Sequence, residues 1–195
     1  MGCVAYGIEP DPNAQILAKI LNLKVYQGFI TDNPFPNIKF DYLTASQVIE
    51  HDPNPNEFMK AAYNKLQDQG YLILSFPNFD SPGRKIFGRK WLHWHVPYHV
   101  NYFSRKSFRL LVENSGFRIV KACTITPNLW TILQIKMLFI KTREGQSNPL
   151  WTANKDGKKL SQLFLLLQYI LITPFNRIID ILGQGESYLF ILRKK

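Results

Sequence analysis

The strongest constraint in this sequence is the alternation of short apolar segments with segments of helical periodicity in its N-terminal part. Predicted strands cover Val4–Ile8, Lys24–Tyr26, Phe40–Ala45 and Tyr71–Phe76, and predicted helices cover Ala14–Leu21 and Glu57–Leu66. A strand that is followed by a helix and then by another strand favours parallel pairing with a crossover helix. The sequence therefore predicts an α/β fold built on a mostly parallel sheet with helices on both faces.

Proline residues mark the predicted boundaries of these elements. Pro10 and Pro12 end the first strand, and Asn13 is the predicted N-cap of the helix that follows. Pro53 and Pro55 precede the second helix. Further along the chain, the sequence predicts a helix over Ser107–Asn114 and strands over Phe117–Thr124 and Ser187–Leu192.

Composition divides the chain into a core over residues 1–128, a helical insertion or cap over residues 129–182, and a last strand of the core over residues 183–195. Within the insertion, Leu129–Ile140 and Leu160–Leu182 are apolar, and the polar stretch Thr142–Gly157 is a predicted loop. The charge-free part of Leu160–Leu182 is too short for a membrane-spanning helix. This segment either packs on Leu129–Ile140 or, next to a lysine cluster, lies in a membrane surface.

The charge balance favours anionic partners. The chain has 24 Lys and Arg residues against 14 Asp and Glu residues, a formal net charge of +10. Its two cysteines, Cys3 and Cys123, are too few for a disulfide framework, and Met1–Tyr6 lacks the basic flank and apolar run of a signal peptide. These features predict a reducing, cytoplasmic location. The sequence has no zinc-finger, RNA-recognition or helix-turn-helix pattern, so nucleic acid is not a predicted partner.

Residues at the carboxyl ends of the predicted strands are the candidates for ligand binding, because ligands of a doubly wound sheet bind there. Glu9 ends the first strand. A carboxylate in this position can accept hydrogen bonds from both hydroxyls of a ribose. The simpler interpretation of Glu9 is a solvated carboxylate at a strand end.

Several short motifs occur in a fixed order. They are Gly7-Ile8-Glu9-Pro10-Asp11, Phe40-Asp41-Tyr42-Leu43-Thr44, Gln47-Val48-Ile49-Glu50-His51, the run from Gly70 to Asn78, Pro97-Tyr98-His99, Phe103-Ser104 and Gly116-Phe117. Over residues 4–124 this set resembles the class I S-adenosylmethionine-dependent methyltransferases, especially the quinone and small-molecule O-methyltransferases. The resemblance implies a Rossmann-like fold, S-adenosylmethionine as cofactor and methyl transfer as the reaction.

The resemblance also implies which residues bind the cofactor. Glu9 would hold the ribose hydroxyls, and Phe29 and Ile30 would lie beside the adenine. Many relatives have an Asp at the position of Phe29, which bonds the adenine amino group, so an apolar wall replaces that contact here. The residues that would line the methionine end are Thr44, Ala45, Ser46 and Gln47.

The main departure from the family concerns its glycine-rich loop. Relatives carry a first strand and a Gly-x-Gly-x-Gly loop before the segments present here, and Gly183-Gln184-Gly185 comes too late to replace that loop. We therefore expect a Rossmann-like methyltransferase sheet without its first strand and glycine-rich loop, with a helical insertion before the last strand. Three explanations for the missing strand and loop are open: a fragment of a longer protein, a misplaced start, or a degenerate relative. A truncated chain or a misplaced start is favoured.

Glu50, His51 and His99 are the predicted catalytic residues. His51 would act as a general base or bond the substrate, although Glu50 and His51 could instead only cap the following turn. The resemblance places His99 in a loop that closes over the substrate. Related quinone O-methyltransferases have a metal-binding Glu-x-x-Glu-His pattern after the third strand. Gln47 stands at the first position of that pattern here, so no metal site is predicted.

A second histidine cluster consists of His93, His95 and His99, whose spacing could bind zinc. A substrate-covering loop is the preferred interpretation, because no Cys or carboxylate is close in sequence. The neighbouring Trp91, Trp94 and Tyr98 would then line the substrate site or pack. Basic residues just before this loop could contact phosphate, lie at a membrane or form a solvated surface; they are Arg84, Lys85, Arg89 and Lys90.

Together these observations predict methyl transfer from S-adenosylmethionine to a small-molecule, glycan or lipid-linked acceptor, with oxygen as the accepting atom. Two alternatives stay open. The first is a non-catalytic remnant of a methyltransferase, and the second is a peripheral membrane protein that binds the membrane surface through residues 160–182.

Overall fold

The computed structural model describes residues 2–140 and 159–195, with side chains described for all of these except residues 159–169. The strands are β1 (Gly7–Glu9), β2 (Val25–Gln27), β3 (Phe40–Ser46), β4 (Leu66–Pro77), β5 (Phe117–Ile125) and β6 (Ser187–Lys194). The helices are α1 (Pro12–Ile20), α2 (Pro55–Lys65), α3 (Pro82–Phe87), α4 (Arg105–Asn114), α5 (Asn128–Phe139) and α6 (Lys159–Ile181). Short 3₁₀ turns cover Ile30–Asp32, Gly88–Lys90 and Leu92–Trp94. The predicted loop Thr142–Gly157 lies outside the described residues.

The strands form one four-stranded sheet in the order β3-β4-β6-β5 and one separate pair, β1-β2. β1 is parallel to β2, and β3 is parallel to β4, as predicted. β6 is antiparallel to both β4 and β5, so β3, β4 and β5 run in one direction, as expected for a mostly parallel sheet, and among the strands of this described sheet β6 is the reversed one. The reason is the return path of the chain: Ser187, at the start of β6, pairs with Ile125, at the end of β5.

Phenylalanines on β4, β6 and α4 form the centre of the core. The ring of Phe76 stacks on that of Phe190 with 5.8 Å between centroids, and it lies 4.4 Å from the ring of Phe108. All three side chains are fully buried. Burial of a phenylalanine stabilises a fold by about 2 kcal/mol, so this contact holds α4 on the larger sheet. Met59 and Ala62 extend the same core to α2.

An aromatic cluster connects the two sheets. The ring of Tyr6, just before β1, lies 5.6 Å from that of Phe40, the first residue of β3. Phe35 contacts both, at 5.0 Å from Tyr6 and 6.4 Å from Phe40. The N-terminal ends of β1 and β3 therefore meet, although no backbone pairing joins these strands within residues 2–140 and 159–195. The absence of a first strand and glycine-rich loop stays a prediction.

The helices begin slightly before their predicted starts. Asp11, not Asn13, is the N-cap of α1, and its carboxylate accepts a hydrogen bond from the Asn13 N–H at 2.8 Å. The cap lies here because proline, which has no N–H to satisfy, is suited to the first helical position. Asn54 caps α2 ahead of a proline in the same way, and Ser104 caps α4 by accepting from the Ser107 N–H at 3.0 Å.

The apolar face predicted for α1 is exposed. Ile16, Leu17 and Ile20 have exposed fractions of 62%, 57% and 74%, and Ala18 is the buried residue of this helix. The helical periodicity correctly predicted a helix at α1, but it did not predict that the apolar side of this helix is exposed. Residues 2–140 and 159–195 supply no surface that covers its apolar side.

The described side chains of α6 meet α5 through amides and hydroxyls. The Asn128 side chain donates to the Thr173 hydroxyl at 2.6 Å, and it accepts from the Asn176 amide at 2.9 Å. Thr131 donates its hydroxyl proton to Asn176 at 3.0 Å. In the part of α6 whose side chains are described, residues 170–181, these contacts with α5 are polar, and packing of the apolar face of Leu160–Leu182 on Leu129–Ile140 stays a prediction. The division into core and insertion stays a prediction.

Asp180, near the end of α6, connects this helix to β5 and to the chain entering β6. Its carboxylate accepts from the Thr126 N–H at 3.0 Å and from the Thr126 hydroxyl at 2.7 Å, and it lies 2.9 Å from the Arg177 guanidinium. The chain passes so close that a Cβ on Gly185 would lie 2.2 Å from an Asp180 oxygen. Only glycine fits at this point.

We expect Asp180→Ala to lower the free energy of unfolding by about 2–3 kcal/mol, because it leaves the Thr126 N–H and hydroxyl without their acceptor. Urea denaturation of the purified variant measures this change. The matched control is Asp68→Ala. The wild-type Asp68 side chain is 100% exposed, and its carboxylate lies 3.6 Å from the Lys194 ammonium. That control should change stability by less than about 0.5 kcal/mol. Equal losses in the two variants would contradict the structural role of Asp180.

Candidate active site

The site begins where β3 ends beside β4. Gln47 follows β3 and has a left-handed backbone with φ of 55°, which is uncommon for a residue other than glycine. Its N–H donates to the Ser75 carbonyl at 2.8 Å, and the hydroxyls of Ser46 and Ser75 are 2.7 Å apart. These bonds fix the direction in which the chain leaves the sheet.

A tight turn after Gln47 places two neighbouring side chains in different environments. The His51 N–H donates to the Val48 carbonyl at 2.9 Å, which closes the turn. Ile49 is 1% exposed and belongs to the hydrophobic core. With Ile49 packed inward, Glu50 is buried and His51 lies at the surface.

A second segment, residues 95–102, is bonded to this turn. The Glu50 carbonyl accepts from the N–H groups of Val100 at 2.9 Å and Asn101 at 3.0 Å. His51 Nδ1 donates to the Tyr98 carbonyl at 2.9 Å, and the Asn101 amide donates to the Asp52 carbonyl. These backbone contacts bring together residues that are far apart in the sequence. They are the reason why His99 lies beside Glu50 and His51.

The carboxylate of Glu50 is the most unusual group in the site. The residue is 1% exposed, and neither carboxylate oxygen accepts a hydrogen bond from the described part of the chain. Burial raises the pKa of Glu50 to about 7; the residue's own backbone N–H, which is near the carboxylate but makes no hydrogen bond of normal geometry with it, lowers the pKa only in part. A buried carboxyl group with a pKa near neutrality is typical of functional sites.

His51 and His99 lie edge to face, with 4.6 Å between ring centroids. Each ring donates its Nδ1–H to a backbone carbonyl, His51 to Tyr98 and His99 to His93 at 2.8 Å. Burial lowers the pKa of His99 to about 4, an effect that the bond to His93 opposes and the nearby His51 increases. Both rings therefore carry a free Nε2 lone pair when neutral.

The predicted cluster of His93, His95 and His99 does not form as a unit. His93 is buried, with its ring 5.2 Å from that of Trp91 and 5.6 Å from that of Trp130. Burial lowers the pKa of His93 to about 3, with smaller contributions from His99 and His95. Among the described residues, the group whose ligand atoms approach one another is instead Glu50, His51 and His99, all within 4.8 Å.

The remaining residues of this loop mostly pack. Trp91 is 1% exposed, and its Nε1–H donates to Glu186 at 2.8 Å. The Trp94 Nε1–H donates to the Gly88 carbonyl at 2.8 Å. Tyr98 is exposed and stays the candidate for a wall of the acceptor site. In the basic segment before the loop, Lys90 donates to the Leu138 carbonyl at 2.8 Å, which gives this lysine a structural role.

The predicted ribose contact, Glu9, is the last residue of β1. It is partly exposed, and its carboxylate accepts from the Asp11 N–H at 2.9 Å, so one oxygen remains available for a hydroxyl. Beyond the end of the neighbouring β2, Phe29 is 59% exposed and donates its N–H to Asp32 at 2.7 Å. Ile30 is partly buried and packs against the core, and its place beside the adenine stays a prediction.

The predicted methionine-binding residues alternate along the end of β3. Thr44 and Ser46 are exposed on one face, whereas Ala45 is partly buried and packs against the core. Gln47 is partly buried in the turn described above. Thr44 and Ser46 thus offer side chains to a ligand, and Ala45 can offer only its backbone.

A family model described as a methyltransferase domain matches residues 1–122. The chain belongs to this methyltransferase family. The match confirms the predicted class I S-adenosylmethionine-dependent methyltransferase, with S-adenosylmethionine as the cofactor of the class. The narrower quinone O-methyltransferase group stays a prediction. Comparison with curated proteins found no match.

Solved structures of methyltransferases share the fold. An S-adenosylmethionine-dependent methyltransferase from Archaeoglobus fulgidus is 17% identical with a TM-score of 0.57, and the alignment covers 97% of this chain and 75% of that one. One from Thermotoga maritima is 18% identical with a TM-score of 0.58, covering 97% and 72%. One from Methanosarcina mazei is 14% identical with a TM-score of 0.56, covering 97% and 81%. The predicted Rossmann-like α/β fold is confirmed.

One finding bears on the predicted contact of the chain with a membrane. Within residues 2–140 and 159–195, every helix falls short of the length or apolar character that a bilayer-spanning segment needs. Contact of residues 160–182 with a membrane surface stays a prediction.

Sequence reasoning missed the groups that join the two halves of the site. Asn101 contributes an N–H and a side-chain amide, and Tyr98 and His93 contribute carbonyl oxygens. Asn101 stands two residues after His99, so its polar side chain was a signal that could have been used. Because every residue has a backbone carbonyl, the residue type does not indicate which carbonyls accept these hydrogen bonds.

We expect Glu50→Gln to stabilise the chain more at pH 8 than at pH 5. The folded wild type keeps a proton on Glu50 up to about pH 7, whereas the unfolded chain loses it near 4.5, so this group makes stability fall as pH rises between those values. The difference in unfolding free energy between variant and wild type should grow by at most about 3 kcal/mol from pH 5 to pH 8.

Urea denaturation in the presence of a chelator at the two pH values measures this difference. Glu57→Gln, at an exposed carboxylate on α2, is the matched control. A difference for Glu50→Gln that stays the same at both pH values would show that Glu50 is ionised in the folded chain.

Proposed function

We propose that the chain transfers the methyl group of S-adenosylmethionine to an oxygen of a small-molecule, glycan or lipid-linked acceptor. The observation that carries this proposal is the buried Glu50 with His51 and His99, directly after the strand whose end is predicted to bind the cofactor. A proton-accepting group close to the methyl donor is what methylation of a hydroxyl needs, because the hydroxyl loses its proton as the new bond forms.

The cofactor would bind across the carboxyl ends of β1, β2 and β3. Glu9 would accept hydrogen bonds from the ribose hydroxyls through its free oxygen, and Phe29 would contact the adenine with its exposed ring. Ile30 would support the adenine site from within the core. The end of β3 would contact the methionine part through Thr44, Ala45, Ser46 and Gln47.

His51 is suited to take the proton of the acceptor. Because its Nδ1–H donates to the Tyr98 carbonyl, Nε2 is left with a lone pair. The imidazole is exposed, so an acceptor can reach it. Glu50 lies beside His51 and would stabilise the imidazolium when ionised, and the ring of His99 would hold the imidazole in place.

An exposed apolar surface supports a lipid-linked acceptor. Leu171, Phe175 and Ile178 of α6 are exposed by 76%, 59% and 58%. These side chains, with the exposed Phe139 at the end of α5, would contact an acyl or prenyl chain.

We expect Glu9→Ala to weaken binding of S-adenosylhomocysteine by about 10–100-fold, since it removes two charge-assisted hydrogen bonds to the ribose. Isothermal titration calorimetry measures the Kd, on this chain and on any form that the coding sequence extends upstream. Glu113→Ala, at an exposed carboxylate on α4, should leave the Kd within about twofold.

If neither form of the wild type binds S-adenosylhomocysteine, the non-catalytic remnant replaces the methyltransferase. If both the wild type and Glu9→Ala bind equally well, the cofactor occupies a different site from the one proposed.

We expect His51→Ala to lower the rate of methyl transfer by about 10²–10⁴-fold, the usual contribution of a general base, without changing the Kd for S-adenosylhomocysteine. The assay follows tritiated methyl groups from S-adenosylmethionine into three acceptors: a phenol, a free sugar and a polyprenyl-linked sugar. Amine analogues of the same acceptors form a second set.

The exposed Lys60→Ala on α2 is the control and should retain the wild-type rate. Transfer to the amines but not to the hydroxyl compounds would refute O-methylation. Transfer that does not depend on His51 would refute its role as base.

A further inference from the structure

A cleft lies beside the loop that follows β4. Its volume is about 450 Å³, which is within the range of small-ligand sites. Because β3 and β4 are parallel, this loop lies at the same edge of the sheet as the turn that carries Glu50 and His51. The residues that line the cleft come from the loop and from α4; they are Asp80, Arg105, Lys106, Arg109, Leu110 and Glu113.

The cations of this cleft have no carboxylate partner among the described residues. Arg105, Lys106 and Arg109 belong to the first two turns of α4, and none of them takes part in a described salt bridge. Glu113 stands four residues after Arg109, a spacing that allows an ion pair, but the described salt bridges do not include this pair. The three side chains are therefore available to an anion.

Asp80 is held at the edge of the cleft by two donors. Its Oδ2 accepts from the Arg105 N–H at 2.7 Å and from the Tyr188 hydroxyl at 2.9 Å. Burial and the neighbouring Asp80 raise the pKa of Tyr188 to about 12, so the hydroxyl keeps its proton and remains a donor. Both bonds go to Oδ2, so Oδ1 of this exposed residue can accept from a hydroxyl of a ligand.

Tyr188 also positions the side chain of Arg105. The guanidinium carbon lies 5.6 Å from the centroid of the Tyr188 ring, which is the geometry of a cation–π contact. Arg105 is partly buried, whereas Lys106 and Arg109 are exposed. The cleft thus combines one cation that is held in place with two that can move toward a ligand. The planar fork of an arginine matches two oxygens of a phosphate group.

A short segment of chain joins the cleft to the candidate active site. Arg105 stands six residues after His99, a length that spans at most about 22 Å when fully extended. Two hydrogen bonds hold this segment in place. The Tyr102 hydroxyl donates to the His99 carbonyl at 3.2 Å, and the Phe79 N–H donates to the Phe103 carbonyl at 3.3 Å. A glycan that carries a phosphate is long enough to reach both places.

We propose that the cleft binds a phosphate group of the acceptor through the side chains of Arg105, Lys106 and Arg109, while Oδ1 of Asp80 accepts a hydrogen bond from a sugar hydroxyl beside that phosphate. Guanidinium–phosphate bonds are charge-assisted and bidentate. The carboxylate of Asp80 repels a bare phosphate but suits a hydroxyl, and this combination matches a phosphorylated sugar. The net charge of +10 further favours an anionic ligand.

This inference rests on the proposed function and narrows its acceptor. The acceptor is then a sugar that carries phosphate, either free or joined to a lipid through a diphosphate. Its phosphate binds beside α4, and the hydroxyl that receives the methyl group lies near His51 at the same edge of the sheet.

The test is isothermal titration calorimetry of the chain without S-adenosylmethionine. The probes are glucose 1-phosphate, inorganic phosphate and glucose, in about 0.15 M NaCl, which screens charges more than about 8 Å apart. We expect one molecule of glucose 1-phosphate per chain with a Kd of about 1 mM or tighter, and no binding of glucose up to about 10 mM. Inorganic phosphate should bind more weakly than glucose 1-phosphate, because it cannot donate a sugar hydroxyl to Asp80.

Variants of the lining residues identify the site. Arg105→Gln and Arg109→Gln should each raise the Kd for glucose 1-phosphate at least about 10-fold, because each removes charge-assisted hydrogen bonds. Arg118→Gln, at an exposed arginine of β5, removes the same charge outside the cleft and should leave the Kd within about twofold. Thermal unfolding of each variant identifies any loss that comes from misfolding, and Arg109 is exposed, so its replacement leaves the core intact.

Asp80→Asn tests the hydroxyl contact. The asparagine keeps one oxygen for Arg105 and Tyr188 but has no second oxygen for a sugar hydroxyl, and it no longer repels phosphate. The preference for glucose 1-phosphate over inorganic phosphate should fall at least about threefold. An unchanged preference would refute the contact between Asp80 and the sugar.

A comparison of farnesyl diphosphate with inorganic pyrophosphate distinguishes the two sources of the phosphate. Tighter binding of farnesyl diphosphate, with the same dependence on Arg109, supports a lipid-linked sugar. Equal binding of the two supports a free sugar phosphate.

Glucose 1-phosphate that binds more weakly than about 10 mM, or equally well to the wild type and Arg109→Gln, overturns the proposal. A loss in Arg118→Gln as large as in the cleft variants also overturns it, because the attraction then comes from the net charge. Since no methyl donor is present, failure here leaves methyl transfer standing with another acceptor. Failure of S-adenosylhomocysteine to bind likewise leaves the phosphate cleft standing.

Discussion

The pairing of β4 with a parallel strand on one side and an antiparallel strand on the other determines most of this structure. Parallel pairing with β3 brings Ser46 opposite Ser75, and the next residue, Gln47, turns out of the sheet at this point. Antiparallel pairing with β6 brings Ser187 opposite Pro77, so the chain before β6 runs past the loop that follows β4. Both parts of the candidate site therefore start from the same end of one central strand.

Hydrogen bonds from buried side chains hold the loops at the ends of these strands in place. The Asn78 amide donates to the Gly185 carbonyl at 2.7 Å, and Trp91 donates to Glu186. Burial raises the pKa of Glu186, and the bonds from Trp91 and Ser81 oppose that rise. Glu50 is buried and Glu186 is partly buried; Glu186 accepts hydrogen bonds from Trp91 and Ser81, whereas no described residue donates one to the Glu50 carboxylate. This contrast is why the chemistry is assigned to Glu50 and a structural role to Glu186.

Local sequence signals predicted the elements well, and long-range contacts limited the rest. The apolar periods predicted β3 and α2 close to their observed bounds, because both signals depend only on neighbouring residues. The N-cap of α1 was placed at Asn13 although Asp11 takes that position, since two polar residues flank one proline. The orientation of β6 depends on where β5 ends, which no local pattern records.

The candidate site shows the same contrast between local sequence signals and long-range contacts. Glu50 and His51 were identified from an order of motifs, and His99 was identified separately, but nothing in the sequence joined the three. Their contact depends on backbone bonds between the turn after β3 and the residues around Val100. The direction of each imidazole depends on carbonyl groups, which every residue has. Gln47, Glu50 and His51 belong to one segment and His99 to another, so a pattern within a single segment could not predict the cluster.

The exposed edge of β3 has a consequence for how this chain behaves in solution. Within the described residues, β3 is hydrogen-bonded to a neighbour on one side only. The other side of β3 presents backbone N–H and C=O groups that no strand of the described residues pairs with. Such an edge is a template onto which a strand of another molecule can add. Self-association by strand addition increases with concentration, so the unpaired edge of β3 links the folding of one molecule to the concentration of the others.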